Sequence, residues 1–248
     1  MNYSDLEYEI FARQFILKEY SEEAITKLKD QKISIIGLGG IGCPLSQYLI
    51  SSGIKNLTIF DGDKIEKNNL NRQMLYSIDD IGKNKAHISK NKLLKTNPNS
   101  NIEAYAKNIN ENNLNLLYGS SVVIDTTDSW HTSKIINKYC VINSIKYMFS
   151  SAVGNHIQVC FFPNKTGEHI CLNCLFPNKD DVDLPRCETV GISAIAAGIA
   201  GLVTAQKTIN LLLNFNNENN ILTLINVMMA EINRIKVKNN KDCLLNKY

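Results

Sequence analysis

The sequence has little net charge and no regular cysteine framework, and both absences narrow the possible classes of protein. Its 27 Lys and Arg residues nearly balance 24 Asp and Glu residues, which leaves a formal net charge of +3. So small an excess gives no electrostatic reason to expect nucleic acid or an anionic membrane as a partner. Seven cysteines, an odd number spread unevenly, predict free thiols in a reducing cytoplasm and not a disulfide-stabilised secreted protein.

The sequence also shows no pattern typical of a secretory leader, internal repeats or long linkers. Residues 1–30 are charged and amphipathic, which does not favour a signal peptide. The most apolar segment, residues 190–213, is rich in Gly, Ala and Ser and carries Gln206 and Lys207. We therefore expect a buried core or interface helix there and not a membrane span. The 248 residues are predicted to form a single domain.

A glycine-rich stretch at residues 32–61 carries the clearest signal. It has the pattern of a buried strand, a turn, a helix, a second apolar strand and then Asp61. The glycines of the turn are Gly37, Gly39, Gly40 and Gly42. Glycines let the backbone approach a phosphate, a helix N-terminus offers free N–H groups, and an acid after the second strand accepts ribose hydroxyls. This order predicts a nucleotide-binding unit of a Rossmann-like α/β fold, without identifying the nucleotide.

Cationic residues follow the second strand. A polar, Asn-rich loop after Asp61 contains Arg72, and the helix predicted over residues 82–96 contains Lys85. Both residues lie beyond the carboxyl end of the strand, where open α/β sheets bind ligands, so we expect them to meet phosphate groups. The other lysines of this helix are interpreted as its solvated face.

Two acids follow a third buried strand, predicted over residues 122–124. Asp125 and Asp128 are expected to face the same crevice as the glycine turn, where carboxylates and phosphates together can hold Mg²⁺. The alternative is that Asp128 caps the helix predicted over residues 131–142. One residue can serve both purposes, and we favour a metal or ligand role for Asp128. A short helix is also expected over residues 110–118.

The second half of the chain has a different pattern. Residues 147–153 and 156–162 are predicted as an antiparallel hairpin, and residues 221–226 and 234–238 as two closing strands. The fold is therefore expected to be a mostly parallel sheet extended by antiparallel strands. At the other end of the chain, residues 4–18 have helical spacing, and periodicity alone assigns the Arg13 side chain in this helix to a solvated face.

Eight short motifs connect these observations to a family. They are ARQ at 12–14, GLGGIG at 37–42, DGD at 61–63, NLNRQ at 69–73, IGKNKA at 81–86, DTTD at 125–128, CLNC at 171–174 and Cys-x-Thr-x-Gly at 187–191. In order and spacing the chain resembles the ThiF/MoeB/HesA family of bacterial E1-like adenylyltransferases. SSAVG at 150–154, CLFP at 174–177 and RCETVG at 186–191 resemble the branch for thiamine biosynthesis, with the molybdopterin branch as the alternative.

The resemblance implies that ATP and Mg²⁺ are used to adenylate the C-terminal glycine carboxylate of a ubiquitin-like sulfur carrier protein. The residues it implies for nucleotide binding are Gly37, Gly39, Gly40, Gly42, Asp61, Asp63, Asn69, Arg72, Gln73, Lys85 and Asp128. Arg72 and Lys85 would contact the triphosphate, and Asp128 would hold Mg²⁺. Arg13 would reach across a homodimer interface into the partner's ATP site, which replaces the solvated-face interpretation.

Cys187 is a further residue to which the resemblance assigns chemistry. Its thiolate, or a persulfide on it, would attack the acyl-adenylate and form a covalent link with the carrier. From the residues alone, a free thiol in a polar loop is an equally good interpretation. The resemblance also allows a sulfurtransferase or cysteine desulfurase as a partner.

The zinc site is where the chain departs from its relatives. The family pattern is two CxxC pairs that form a closed Cys₄ site. Cys171 and Cys174 form the first pair and Cys243 begins the second, but the last position holds Asn246, whose amide is a poor zinc ligand. Either three thiolates bind zinc with a fourth ligand from elsewhere, or the site has been lost. The remaining cysteines expected in the core are Cys43, Cys140 and Cys160.

Two other classes of function compete with adenylation. An NAD(P)-dependent oxidoreductase would also use a βαβ unit and Asp61, but hydride transfer needs neither a triphosphate clamp nor Mg²⁺. A non-catalytic nucleotide-binding scaffold for a ubiquitin-like partner would be expected to lack the clamp and the metal carboxylate. Arg72, Lys85 and Asp128 are all present, so the sequence favours the adenylyltransferase. The expected organisation is N-terminal helices over 1–30, a nucleotide-binding half over 31–145 and a carrier-binding half over 146–248.

Overall fold

A single mixed sheet of eight strands organises the computed structural model, which describes residues 5–164, 170–177, 190–215 and 219–245. The strands are β1 (Lys32–Ile36), β2 (Asn56–Phe60), β3 (Asn101–Tyr105), β4 (Val122–Asp125), β5 (Lys146–Val153), β6 (His156–Phe162), β7 (Ile221–Asn226) and β8 (Glu231–Lys236). The helices are α1 (Asp5–Phe15), α2 (Glu22–Lys29), α3 (Gly42–Ser51), α4 (Lys85–Thr96), α5 (Trp130–Ile142), α6 (Leu172–Leu175) and α7 (Ala194–Leu212).

The strand order is β3-β2-β1-β4-β5-β6-β7-β8. The first five strands in this order are parallel, and β6, β7 and β8 continue the sheet in antiparallel fashion, as the sequence predicts. The chain reverses its direction of winding between β1 and β4, which creates a crevice at the carboxyl ends of these strands. Ile36 pairs with both Phe60 and Asp125, so the segments that follow the three strands leave the sheet at one level.

Apolar side chains cover the two faces of the sheet in two separate clusters. The first joins Ile33 and Ile35 of β1 to side chains of α3, α4 and α7. The second joins Ile36 to side chains of α5, α6 and the segment that contains Cys243. The alternation of β1 between these clusters follows from the two-residue period of a strand buried on both faces.

Helix α7 is the one described helix that is long and apolar enough to cross a membrane, by length and composition alone. Its buried residues are small and lie against the start of α3. A Cβ added to Gly201 would stand 2.6 Å from the carbonyl oxygen of Ile41. Such close packing against α3, together with eight buried positions along the helix, agrees with the prediction of a core helix.

Two helix predictions need correction. Residues 110–118 form only a short 3-10 turn, at Leu114–Leu117. The side chains of Asn110 and Asn113 accept hydrogen bonds from nearby backbone N–H groups, an arrangement that competes with helix formation. The helix expected over 82–96 begins at Lys85, because the Asn84 side chain caps it by accepting a hydrogen bond from the N–H of His87 at 3.1 Å.

Candidate functional site

The glycine turn connects β1 to α3 and leaves no room for a side chain at Gly37, Gly40 or Gly42. Gly37 has a φ of +92°, which favours glycine, and an added Cβ would stand 2.9 Å from the carbonyl oxygen of Thr126. A Cβ on Gly42 would stand 2.0 Å from the carbonyl oxygen of Gly37. Ile41 precedes α3 without a side-chain cap, but the N–H of Cys43 donates to the carbonyl oxygen of Gly39 at 3.0 Å and Pro44 has no N–H. Of the first three positions of this helix, the N–H of Gly42 is therefore the one that an anion can take.

Asp61 ties the turn to the end of β2. Its Oδ2 accepts a hydrogen bond from the N–H of Leu38 at 2.8 Å, and its Oδ1 accepts one from the N–H of Asp63 at 2.9 Å. Burial raises the pKa of Asp61, while the nearby charge of Lys85 and the two N–H donors oppose that rise. Each carboxylate oxygen keeps acceptor capacity, which is what ribose hydroxyls require.

Lys85 brings a buried positive charge to the same place. The residue is only 7% exposed, and its Nζ lies 3.0 Å from Oδ2 of Asp63. The backbone reinforces this pair, because the N–H of Lys85 donates to the carbonyl oxygen of Asp63 at 3.0 Å. Asp63 itself is exposed, so an incoming phosphate can share or replace its contact with the Lys85 ammonium.

The segment after β2 places Arg72 beside the glycine turn. The Cγ atom of Arg72 lies 3.4 Å from the position of a Cβ added to Gly40. Its Nη1 donates to the carbonyl oxygen of Asn68 at 2.7 Å and to Oδ1 of Asn71 at 3.1 Å. The stem is therefore in place, and because both bonds use Nη1 alone, Nε and Nη2 remain as donors for a phosphate. Asn69 is buried, and its Oδ1 accepts a hydrogen bond from the N–H of Glu66 at 3.1 Å, so its role is local folding as well.

Gln73 provides an independent test of whether a ligand fits here. Its side chain is buried next to Gly39, with Nε2 3.7 Å from the position of an added Cβ. Its Oε1 has no hydrogen-bond partner among the described residues. A buried polar atom without a partner costs free energy, so such an atom beside a glycine turn fits a site that a polar ligand completes.

Asp125 and Asp128 lie in different environments, so the expectation that both face the crevice is wrong for Asp125. Asp125 is fully buried, and Tyr147 donates to its Oδ2 at 2.7 Å. Asp128 is exposed, and the described residues form no hydrogen bond or ion pair with its carboxylate. The helix-cap alternative is also wrong, because Ser129 caps α5 by accepting from the N–H of Thr132 at 3.2 Å. The Asp128 carboxylate is thus available for a cation.

Two residues that the sequence analysis did not identify, Thr126 and Ala197, contact the glycine turn. Thr126 Oγ1 donates toward the carbonyl oxygens of Ile36 at 3.0 Å and Gly37 at 2.7 Å, which joins the Asp128 loop to the glycine turn. Ala197 of α7 lies behind the turn, where a Cβ on Gly40 would stand 2.9 Å from its Cβ. The Gly and Ala content of α7 was the available signal for Ala197. We call residues 37–42, 61–63, 69–73, Lys85 and 125–128 the rim.

Arg13 does not join the rim within this chain. It is exposed on α1, and no hydrogen bond or ion pair of its side chain occurs among the described residues. Helix α1 is fixed to the body through buried Glu7, whose Oε1 lies 3.1 Å from Nζ of Lys29 and 2.5 Å from Nζ of Lys55. The helix therefore holds Arg13 outward, on a face that also exposes Ile10.

Three cysteines form a second polar cluster, away from the rim. The Sγ atoms of Cys171, Cys174 and Cys243 lie within 4.8 Å of one another, and all three residues are buried. A hydrogen bond with Cys171 lowers the pKa of Cys174 to about 5. We call this trio the cysteine cluster; its spacing and soft donors fit a thiophilic ion such as Zn²⁺. Asn246, at the position of the fourth ligand, lies outside the described residues.

The remaining cysteines divide into two groups. Cys43, Cys140 and Cys160 are buried in the apolar clusters, as predicted, and burial raises the pKa of each thiol. Cys187 lies outside the described residues, so its surroundings remain a prediction from the sequence.

Comparisons with known proteins agree with this geometry. The family described as the ThiF family matches residues 11–245. The chain is 28% identical to the sulfur carrier protein adenylyltransferase of Thermus thermophilus, over 98% of this chain and 92% of the relative. It is 31% identical to the sulfur carrier protein ThiS adenylyltransferase of Escherichia coli, over 84% of this chain and 83% of the relative.

A third relative and a solved structure extend the comparison. The probable molybdopterin-synthase adenylyltransferase of Gracilaria tenuistipitata var. liui is 30% identical over 96% of this chain and 67% of the relative. The crystal structure of E. coli MccB with MccA-N7isoASN superimposes with a TM-score of 0.83 at 25% identity, and covers 100% of this chain and 76% of that chain.

Proposed function

The chain belongs to the ThiF family, and from that premise we propose that it is an ATP-dependent adenylyltransferase for the C-terminal glycine carboxylate of a ubiquitin-like sulfur carrier protein. Two similar relatives are named as sulfur carrier protein adenylyltransferases, which supports the proposed reaction and substrate class. The main structural support is the rim. There, the glycine turn follows β1, the buried ammonium of Lys85 contacts Asp63 just after β2, and the exposed carboxylate of Asp128 lies on the loop after β4, so all three lie beyond the carboxyl ends of parallel strands.

The chemistry explains why this set of groups is needed. A carboxylate oxygen of the carrier attacks the α-phosphorus of ATP, the bond to the bridging oxygen breaks, and pyrophosphate leaves. An anion thereby approaches an anion, so positioning and cationic stabilisation supply most of the rate. Lys85 and Arg72 bind the triphosphate, and Asp61 accepts the ribose hydroxyls. Asp128 would hold the Mg²⁺, which would neutralise charge on the phosphates.

The structure of α1 supports a role for Arg13 in trans. Buried Glu7 fixes the helix on its inner side, while Leu6, Ile10 and Arg13 are exposed on α1. In a homodimer this apolar surface packs against the partner copy, and Arg13 reaches the partner's ATP site. The site in one protomer is then incomplete without the other.

The preferred carrier is of the thiamine type. Its support is the motifs at 150–154, 174–177 and 186–191 together with the E. coli ThiS adenylyltransferase among the relatives. The molybdopterin-type carrier is the second candidate, because a probable molybdopterin-synthase adenylyltransferase is similar over almost the whole chain. Six free cysteines among the described residues are consistent with a reducing cytoplasm.

Cys187 acts after adenylation in this proposal. Its thiolate, or a persulfide supplied by a sulfurtransferase or cysteine desulfurase, attacks the acyl carbon and releases AMP. Adenylation itself does not use this residue. We therefore expect Cys187→Ala to leave carrier-dependent ATP–pyrophosphate exchange unchanged and to abolish the covalent carrier–enzyme adduct, as measured by intact mass. Exchange that disappears in this variant would contradict the separation of the two steps.

The proposed function is tested by mixing the purified protein with ATP, Mg²⁺ and one carrier at a time. We expect pyrophosphate exchange and a carrier mass increase of one AMP with a thiamine-type carrier, and less of either with a molybdopterin-type carrier. A carrier whose C-terminal glycine has been removed is the matched control and should give neither signal. Equal exchange with and without carrier would contradict the proposal, and a preference for the molybdopterin-type carrier would replace the assigned substrate.

A further inference from the structure

Asp125 is a buried carboxylate that the proposed reaction does not use. It is the last residue of β4, and its side chain has the same orientation as that of Val123, into the sheet face covered by α5. No Lys or Arg forms an ion pair with it in the part of the chain that the structure describes. An unpaired anion without exposure to water is expensive, so its hydrogen bonds must compensate.

The donors to Asp125 come from two different elements. Oδ2 accepts from the hydroxyl of Tyr147 on β5 at 2.7 Å. Oδ1 accepts from the N–H of Thr127 at 2.9 Å and from the Thr127 hydroxyl at 2.8 Å. Desolvation raises the pKa of Asp125, and its side-chain contact with Ser133 of α5 lowers it in part, together with the hydrogen bonds from Tyr147 and Thr127. The carboxylate therefore links the loop before Asp128 to the adjacent strand.

The other neighbours of Asp128 are fixed as well. Thr126 donates its N–H to the carbonyl oxygen of Ile36 at 2.9 Å, and Ser129 caps α5. Asp128 is thus the one residue between 125 and 129 whose side chain has no partner among the described residues, while the backbone on both sides of it is fixed. Such an arrangement fixes the backbone that carries a free carboxylate before a ligand arrives.

We propose that Asp125 is a positioning residue: through Thr127 and Tyr147 it orients the exposed carboxylate of Asp128 for the Mg²⁺ of bound Mg·ATP. The inference rests on the proposed function, since it takes Asp128 as the metal ligand. A merely structural role for Asp125 would affect folding stability alone. A positioning role affects the dependence of nucleotide binding on Mg²⁺, because groups that orient a metal ligand change metal affinity by ~10–100-fold.

The test is calorimetric titration of the full chain with ATP, in Mg²⁺ and in EDTA. The wild type should bind ATP more tightly with Mg²⁺, and Asp125→Asn should lose most of this gain, by roughly tenfold, with little change in EDTA. The control is Ser34→Ala, which removes a buried 2.8 Å hydrogen bond to Ser120 in the same sheet. It should lower the melting temperature without changing the gain from Mg²⁺.

Tyr147→Phe keeps the test decisive where Asp125→Asn does not fold, since it removes one donor and leaves the carboxylate. It should reduce the Mg²⁺ gain in the same direction but by less than Asp125→Asn, because the two hydrogen bonds from Thr127 to Asp125 remain. A folded variant with an unchanged gain overturns the positioning role while leaving the adenylyltransferase proposal intact. A wild type that shows the gain but never adenylates a carrier overturns the proposed function and not the role of Asp125.

Discussion

The rim and the cysteine cluster are two groups of polar side chains with opposite surroundings. At the rim, Asp128 is exposed, and neither its carboxylate nor the buried Oε1 of Gln73 has a hydrogen-bond partner within the described part of the chain. In the cysteine cluster, the three thiols are buried together beside the second apolar cluster and lie close to one another. The polar atoms of the rim can therefore bind a ligand from solution, whereas the thiols of the cysteine cluster face one another.

We therefore expect substitutions at the rim to affect catalysis and substitutions in the cysteine cluster to affect folding stability. A substitution at an exposed rim residue removes little that the fold depends on, so it should change activity and not the melting temperature. A substitution in the cysteine cluster changes buried packing and any bound metal, so it should change the melting temperature and not the chemical step. The following predictions test this separation, from the largest expected effect to the smallest.

Asp128→Ala should have the largest effect on catalysis. Loss of the free carboxylate removes the group that we propose to hold Mg²⁺, and we expect carrier-dependent exchange to fall by ~10³-fold or more. The melting temperature should stay within about 1 °C of the wild type, since surface substitutions without partners change stability little. The control is Asp30→Ala, which should change neither quantity. Asp30 is exposed and precedes β1, so it lies at the opposite end of the parallel strands. A clearly lower melting temperature of Asp128→Ala would contradict the expectation that rim substitutions change activity and not stability.

Arg72→Ala should reduce exchange by ~10²-fold, because one cationic contact to the phosphates is lost. Arg72→Lys should fall between this variant and the wild type, since lysine keeps the charge but not the forked geometry. The hydrogen bonds of Arg72 to Asn68 and Asn71 lie within its own segment, so the expected change in melting temperature is small. Equal activity of the Lys and Ala variants would show that the positive charge at this position contributes nothing.

The two acids after β4 show how far the sequence predicts the site. The position of the loop was predictable, because the carboxyl ends of parallel strands share one edge of the sheet. The separation of Asp125 from Asp128 was predictable in part, since Asp125 shares its strand face with Val123. The hydrogen-bond partner of Asp125 was not predictable. Tyr147 becomes its neighbour only through the register of β4 with β5, which periodicity does not reveal.

Helix α7 shows the same limit in the fold. Its length, its small residues and its burial in the core followed from composition. Its contact with the glycine turn did not, because Ala197 and Gly40 are 157 positions apart and meet only when the sheet is assembled. Short-range patterns thus predicted the elements and the edge that carries the site. The contacts that align the site depend on long-range pairing.

Arg13→Ala should reduce exchange by ~10–100-fold, because in the proposed homodimer each ATP site then lacks the cation that the partner copy supplies. Mixing this variant with Asp128→Ala should restore about a quarter of wild-type activity, since random reassortment makes half of the dimers mixed and each mixed dimer has one complete site. The control is a mixture of two separate preparations of Arg13→Ala, which should restore nothing. Failure of the first mixture, with exchange of subunits verified by mass, would place Arg13 in cis or outside the mechanism.

Cys243→Ala should have the smallest effect on chemistry and a clear effect on stability. We expect unchanged exchange per folded molecule, loss of zinc in metal analysis and a melting temperature lower by roughly 5–10 °C, equivalent to about 2–3 kcal/mol in a chain of this length. Cys160→Ala is the matched control, since it removes another buried thiol but no member of the cysteine cluster. It should keep the zinc.

The pH dependence of zinc binding sharpens the same comparison. A hydrogen bond with Cys171 lowers the pKa of Cys174, so this thiol loses its proton more readily than the other two. Protons compete with a metal for thiolate ligands, so zinc should be retained at neutral pH and released on acidification. At neutral pH, a strong chelator should lower the melting temperature of the wild type and not that of Cys243→Ala. A wild type without zinc, whose melting temperature ignores the chelator, would mean that the cysteine cluster stabilises the fold by packing alone.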